Sequence, residues 1–314
     1  MTEAASRGQA SGGAGREAWG IVTCAGLAYV AGKVIADFLL DEVVERALAE
    51  DLSGGDVTSF ATIAAEERAI ARAVARRELM VCGGAVFARA FYKVDPGLRV
   101  EELRPEGSRA RAGDVLWLVE GSARSILMAE RTGLNFAQRL SGVATLTRRF
   151  VDAVPAGSKL RIVDTRKTTP GLRFLERYAV RAGGGHNHRD CLGSAVLIKD
   201  NHIVAAGGIT AAVERARALS PHTSRIEVEV DTLEQLDEAL AARAEIVMLD
   251  NFDDARIEAG VAKVAGRALV EVSGGVTLER IPRLSQLGVD VVSVGALTHS
   301  AAAADIGLDV ERIG

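Results

Sequence analysis

Two kinds of apolar spacing divide this chain. Leu39, Leu40, Val43, Val44, Ala47 and Leu48 recur at three- and four-residue intervals, which predicts a helix beginning near Phe38. It runs into Leu52-Ser53-Gly54-Gly55-Asp56, a loop composition. Residues 69–83 and 98–121 read as short strands and turns around a helix near 84–92. The turn at 111–114 enters a strand at 115–119. Residues 122–140 predict a helix with an apolar stripe of Ile126, Ala129, Gly133, Ala137 and Leu140. Arg131, Asn135 and Gln138 form a polar row on another face. Such a row is usually solvated; the sharper reading aims it at a cleft.

From residue 160 the pattern changes. Short apolar runs at 162–164, 195–198, 226–230, 246–249, 269–272 and 289–294 alternate with helical segments. Alternating strands and helices imply parallel pairing. Six units in this span predict an α/β barrel smaller than the eight-fold kind. Along 226–231, Ile226, Val228 and Val230 share one face; Glu227, Glu229 and Asp231 share the other. If the apolar face meets the helices, the acidic face points into the barrel and needs cations, from Lys/Arg or a metal.

Composition sharpens this picture. Aromatic residues are only 4% of the chain, so the core is aliphatic, which favours helices on parallel strands. The net charge of -4 excludes a global basic field for nucleic acid. Cys24, Cys82 and Cys191 are scattered, which argues against disulfides and thiolate zinc and for a reducing cytoplasm. No apolar run reaches the ~18 residues of a membrane span. Residues 1–36 read as a flexible leader rich in Ser, Gly and Ala. The expected division is that leader, an N-terminal α/β domain at 37–146, a barrel at 147–300 and a C-terminal tail at 301–314.

Chemistry in such barrels sits after the strands' C-terminal ends. There the chain carries Thr165-Arg166-Lys167, then Lys199-Asp200-Asn201-His202, Glu229 and Asp231, Asp250-Asn251, Ser273-Gly274-Gly275 and Gly295-Ala296. Between Arg166 and Lys199, seven Lys/Arg face two acids, a basic block in an acidic protein. Arg173, Arg177 and Arg181 fit the exposed face of a helix. Arg166, Lys167, Arg189 and Lys199 fall in loops or at strand ends, where a solvated face explains them less well. Gly183-Gly184-Gly185 ends a helix and lets backbone approach a ligand, and the last two glycine pairs suit a phosphate cradle. His188 and His202 flank no acidic cluster at zinc-ligand spacing, so no zinc site is expected. Together these call for a substrate with several anionic groups, a metal and a phosphate.

The run DTRKTTPGLRFLERYAVRAGGGHNHRDCLGSAVLIKDNHI, residues 164–203, closely resembles the quinolinate phosphoribosyltransferase family. So do EDLSGGDVTS, AERTGLNFAQRLSGVAT at 129–145, EVEVDTLEQLDEAL at 227–240, VMLDNF at 247–252, EVSGGV at 271–276 and SVGALTHS at 293–300, so the resemblance covers roughly 38–300. It implies an N-terminal α/β sandwich-like domain on an atypical open α/β barrel, and a homodimer. The implied reaction converts quinolinate and phosphoribosyl pyrophosphate, with Mg2+, into nicotinate mononucleotide, pyrophosphate and carbon dioxide. By position, Arg131 matches an arginine lent by a neighbouring subunit. Arg166, Lys167, His188, Arg189 and Lys199, beside Thr165, match the cationic substrate pocket. Glu229 and Asp250 match an acidic pair near ribose and metal, and the expected catalytic set is Lys167, Lys199, Glu229 and Asp250. Ser273, Gly274, Gly275, Gly295 and Ala296 match the 5′-phosphate loops. The chain departs in its leader and at Gly193-Ser194, where the family often has aspartate. A relative encoded with molybdate transporters departs at the IKDNH block, which is intact here, and a silent binding protein would have lost Glu229 or Arg131.

Overall fold

The computed structural model describes residues 28–30 and 33–313, with side chains from Ile35. A hairpin, β1 (Ala28–Val30) with β2 (Lys33–Ile35), precedes α1 (Asp37–Leu52) and α2 (Val57–Thr62). Then come β3 (Arg68–Ala75), β4 (Leu79–Met80), α3 (Gly84–Val94), β5 (Arg99–Glu102), β6 (Arg109–Ala110), β7 (Val115–Ser122) and α4 (Ala123–Asp152). The second half runs β8 (Arg161–Val163), α5 (Arg173–Ala182), β9 (Val196–Ile198), α6 (Asp200–Ala206), α7 (Ile209–Leu219), β10 (Ile226–Val230) and α8 (Leu233–Ala241). It ends in β11 (Ile246–Asp250), α9 (Asp254–Val264), β12 (Leu269–Ser273), α10 (Ile281–Gln286), β13 (Val291–Ser293), α11 (Ala296–His299) and β14 (Ile306–Ile313).

Six of the seven strands of the second half, all but β14, form one parallel sheet in the order β8-β13-β12-β11-β10-β9. The chain's first two strands of this sheet are its two edges, so the barrel is open between β8 and β9. Ile226, Val228 and Val230 are buried among the surrounding helices, and Glu227 and Glu229 project to the opposite, inner face. The expected in-and-out alternation of this strand therefore holds.

The N-terminal half folds around a four-stranded antiparallel sheet, β14-β3-β7-β5. Ala69, Ala71, Ala73 and Ala75 of β3 face inward, and their small side chains leave room for Phe87, Phe91 and Trp117. Phe87 stacks on Trp117 with ring centroids 4.9 Å apart. Three sequence expectations change here. The expected tail at 301–314 supplies an edge strand: β14 pairs with β3 from Ile306↔Ala75 to Ile313↔Arg68. Its outward charges meet Arg72, Arg76 and Glu67, a ladder that reads as polar tail in one dimension. The helix expected at 122–140 continues to Asp152, across the expected boundary at 146/147, and its side chains enter both cores. Finally, part of the expected leader pairs as β1 and β2, and Ile35 enters the core; the rest, 1–27 with 31 and 32, lies outside the described residues.

Where the halves meet, the carboxylate of Glu106 accepts hydrogen bonds from Gly83 N at 3.2 Å and Gly84 N at 2.5 Å, capping α3. Burial pushes its pKa up to about 7 against those bonds, and Glu102 adds to the rise. The folded state therefore holds this proton more tightly than the unfolded chain does. Its contribution to stability is lost as pH rises from the ordinary carboxylate range through about 7. Glu106→Gln removes the titration but turns its amide nitrogen toward one of these two backbone N–H groups, so the midpoint of thermal denaturation should lie below the parent at pH 5 and the gap should narrow by about 2–4 °C at pH 8.

Candidate active site

A cavity of about 590 Å³ opens at the C-terminal ends of the barrel strands. After β8, Thr165, Arg166 and Lys167 line it; the loop before β9 adds His188 and Arg189, and Lys199 follows β9. Glu229 comes from β10, Asp250 from β11 and Ser273 from the end of β12, with Gly274 and Gly275 after it and Gly295 and Ala296 after β13. Every expected site residue of the barrel half is on this wall. Arg131 is not; it lies on the exposed side of α4, its guanidinium 4.0 Å from Glu130. Ser293 and His299 also line the cavity, although sequence reasoning did not select them. A second cavity of about 560 Å³ lies outside β9 against α6 and α7 and shares Arg189 and Leu197 with the first.

Four cations, Arg166, Lys167, Arg189 and Lys199, face two carboxylates, Glu229 and Asp250, across the cavity. Lys199 Nζ pairs directly with Glu229 Oε2, and Asp250 Oδ2 accepts from Asn251 Nδ2 at 2.6 Å. Arg166 Nε and Arg189 Nε are buried without a hydrogen-bond partner. Burial and the neighbouring Arg166 lower the Arg189 pKa. A buried guanidinium N–H without an acceptor costs free energy, so the cavity is built to take anionic oxygens.

The loop carrying these cations rests on Asp164, which is fully buried. Its carboxylate accepts from His188 N at 2.7 Å and Asn187 Nδ2 at 2.5 Å, and pairs with Arg177 Nη1 at 3.2 Å. Burial raises the Asp164 pKa, and Arg177 opposes the rise. Arg177 also donates to the Arg189 carbonyl at 3.2 Å. Arg173 donates to Thr168 Oγ1 and the Asp190 carbonyl, and Arg181 to the Gly185 carbonyl. The expectation that these three arginines line a solvated face is thus overturned: they staple the basic loop, and Arg177 is buried. The triple glycine also differs from its expected use. A Cβ on Gly183 would lie 2.5 Å from the Ala144 carbonyl oxygen of α4, so the close approach is to a helix and not to a ligand. It turns the chain so that His186 N reaches the Ile162 carbonyl, extending the sheet beyond β8.

A second ion pair, with its carboxylate buried, fixes the 165–170 loop. Glu176 accepts from Arg139 Nη2 and from Thr169 Oγ1, both at 2.7 Å, and from Thr169 N at 3.0 Å. Thr298 Oγ1 donates to the Lys167 carbonyl at 2.7 Å, which ties α11 to the same loop.

Beneath the cavity, His188 Nε2 lies 3.2 Å from Glu227 Oε2 and 3.5 Å from Glu271 Oε1. Both glutamates are buried. Burial and the neighbouring Glu227 push Glu271 well above the usual carboxylate range. Burial lowers the His188 pKa, but the hydrogen bond and charge of these glutamates outweigh it and hold it above the ordinary value. His188 therefore does sit in an acidic cluster, assembled from strands that lie far apart in sequence. The three donor atoms fall within 4.8 Å of one another, a grouping that could suit a metal. However, His188 Nδ1 accepts from Arg189 N at 2.7 Å. A metal on Nε2 of a neutral imidazole requires the proton on Nδ1, where it would meet the Arg189 N–H head to head. That hydrogen bond argues against an ion on Nε2.

At the far wall, Gly274 takes φ +86°, and a Cβ there would fall 2.1 Å from Asn251 Oδ1. Gly275 and Gly295 complete a cradle of backbone without side chains. Among the described residues, no helix is long and apolar enough to cross a membrane.

Comparison with known proteins agrees with this arrangement. The family model for the quinolinate phosphoribosyl transferase C-terminal domain matches residues 143–309, and the model for its N-terminal domain matches residues 56–141. A Mycobacterium leprae protein named nicotinate-nucleotide pyrophosphorylase [carboxylating] is 45% identical over 276 residues, 86% of this chain and 96% of that one. A Bacillus subtilis protein, named as probably having the same activity, is 41% identical over 271 residues, 86% of this chain and 93% of its own. The crystal structure of NadC from Streptococcus pyogenes superimposes with a TM-score of 0.86 at 37% identity, covering 90% of this chain and all of that one (100%). The nicotinate-nucleotide pyrophosphorylase of Francisella tularensis gives 0.84 at 39% identity, over 88% and 98% of the two chains. With both of its halves matched in order, and the basic cavity at the mouth of an open six-stranded barrel, the chain belongs to the quinolinate phosphoribosyltransferase family.

Proposed function

We propose that the protein transfers the phosphoribosyl group of phosphoribosyl pyrophosphate to quinolinate with loss of carbon dioxide. The products are nicotinate mononucleotide and pyrophosphate, on the de novo route to NAD. The observation that carries this reading is the pair of buried, unpartnered guanidinium nitrogens, Arg166 Nε and Arg189 Nε, in a wall that also holds Lys167 and Lys199. A pyridine dicarboxylate and a phosphorylated sugar diphosphate together supply the acceptors this wall lacks.

In this reading Thr165, Arg166, Lys167, His188, Arg189 and Lys199 form the pocket for the dicarboxylate and the diphosphate. Ser273, Gly274, Gly275, Gly295 and Ala296 cradle the 5′-phosphate. The pyridine nitrogen attacks the anomeric carbon as pyrophosphate leaves, and positive charge grows on the ribose ring. Glu229 and Asp250 face that charge, while Lys167 and Lys199 take the charge of the leaving group. The quaternised ring then accepts the electron pair released as the C2 carboxylate departs, and C2 takes up a proton. No protein nucleophile is needed. Glu229 and Asp250 stand on adjacent strands as hard oxygen donors, a set that fits Mg2+ shared with substrate phosphates. When bound there, Mg2+ would neutralise developing charge on the pyrophosphate. Arg131 lies outside the cavity, which fits a residue lent across a homodimer.

Gly274→Ala should weaken the cradle most sharply. It strains a left-handed backbone and drives a methyl into Asn251. The KM for phosphoribosyl pyrophosphate should rise about 10-fold or more, with a smaller change for quinolinate.

The function is tested by incubating the purified protein with quinolinate, phosphoribosyl pyrophosphate and Mg2+ and following nicotinate mononucleotide by mass spectrometry. Nicotinic acid serves as the parallel substrate. Product from quinolinate alone supports the reading. No product from either substrate, with a folded protein in hand, overturns it.

A further inference from the structure

We infer that Glu227 and Glu271 are positioning residues that lock His188 in one tautomer, and that His188 acts by setting Arg189 rather than by donating a hydrogen bond to substrate. This rests on the proposed function only for the identity of the ligand that Arg189 meets.

The argument is one of donors and acceptors. A neutral imidazole has one N–H and one bare nitrogen. Arg189 N donates to His188 Nδ1 at 2.7 Å, so Nδ1 is the bare acceptor and the proton is on Nε2. Nε2 points at Glu227 Oε2, 3.2 Å away, and Glu271 Oε1, 3.5 Å away. Both ring nitrogens are thus turned onto protein. The ring borders the cavity, but donating to a substrate carboxylate would require breaking one of these contacts. The glutamates reach His188 from β10 and β12, two interior strands of the sheet, so their carboxylates are held by the most rigid part of the barrel. Glu227 Oε2 holds the ring by a hydrogen bond, whereas Glu271 Oε1, 3.5 Å from Nε2, acts on it by charge and makes no hydrogen bond.

His188 in turn fixes the backbone of Arg189. The Arg189 carbonyl is held by Arg177 Nη1, and its own Nη1 donates to the Ala195 carbonyl at 3.2 Å. No hydrogen bond engages Arg189 Nε or Nη2, in a residue of the cavity wall. The glutamate pair thus reaches substrate only through the ring: carboxylates set the ring, and the ring sets the guanidinium.

The test uses the full chain and two readouts. Nitrogen-15 NMR of its histidines, with His188 assigned by the loss of its signals in His188→Gln, reads the tautomer without any turnover. At a pH above the raised pKa of His188, the expected spectrum has a protonated Nε2 and a bare Nδ1, unchanged when quinolinate and pyrophosphate are added. An Nδ1–H tautomer, or a switch on ligand binding, overturns the inference. In the kinetic arm, Glu227→Met removes the nearer acceptor and should raise the KM for quinolinate about 10-fold while kcat stays within about 3-fold. Glu227→Gln keeps a carbonyl acceptor and should restore KM to within about 3-fold of the parent. An unchanged KM in Glu227→Met, or a loss confined to kcat, overturns the positioning role. If Glu227→Met does not fold, the parent spectrum alone decides. Because the spectrum needs no reaction, failure of the proposed activity and failure of this inference are told apart.

Discussion

Replacing Glu229 with alanine lowers kcat for nicotinate mononucleotide formation by about 10²–10³-fold in this account, with little rise in either KM. The side chain stands on β10 with its strand neighbours Val228 and Val230 packed against the helices, so its direction is fixed by the core. Its carboxylate meets Lys199 at the mouth of the cavity and faces the position where ribose charge must grow. That charge exists only in the transition state, so its loss is felt in turnover and not in ground-state binding. Removal also frees Lys199 for substrate anions, which keeps the KM from rising. Steady-state kinetics in both substrates decides the matter. A variant with unchanged kcat and a raised KM would show that Glu229 binds rather than stabilises the transition state.

Asp164→Ala carries the largest expected loss of stability. The carboxylate is fully buried and gathers Arg177, His188 N and Asn187 Nδ2. Alanine leaves the buried Arg177 guanidinium with only the exposed Asp190 as an ionic partner, at 3.3 Å. Breaking a buried pair from one side costs about 3–5 kcal/mol. For a chain of this size that lowers the midpoint of thermal unfolding by on the order of 10 °C. The loop from His188 to Lys199 should also loosen, so activity should fall even below the unfolding temperature. Asp164→Asn keeps the shape and one acceptor and should lose roughly half as much. A midpoint within about 2 °C of the parent for Asp164→Ala would show that the loop is held by other contacts.

The barrel was legible because its strands are short apolar runs that end in polar residues, and the parallel sheet keeps each ending at one mouth. The same period of two made Glu227 and Glu229 readable as an inner face. Glu271 obeys that rule too: Val270 and Val272 are buried in the helical layer and Glu271 turns inward. Applying the alternation to this strand would have found it. Its meeting with His188 could not be read, because it joins strands whose register only the folded sheet defines. Arg177 was misread for a related reason. Helical spacing gives a face, but whether that face meets solvent depends on what lies across it, and here that is Asp164. The edge strand β14 was missed because its partners, β3 and the charged side chains beside it, lie more than 200 residues earlier in the chain (|i−j| of 245 for Arg312 and Glu67).

The most direct test of the central claim is the fate of the C2 carboxylate. Quinolinate labelled with carbon-13 at that carboxyl should release one labelled carbon dioxide for each nicotinate mononucleotide formed, and none when phosphoribosyl pyrophosphate is omitted. A mononucleotide that retains both carboxylates, or equal product from nicotinic acid without carbon dioxide, would contradict the account.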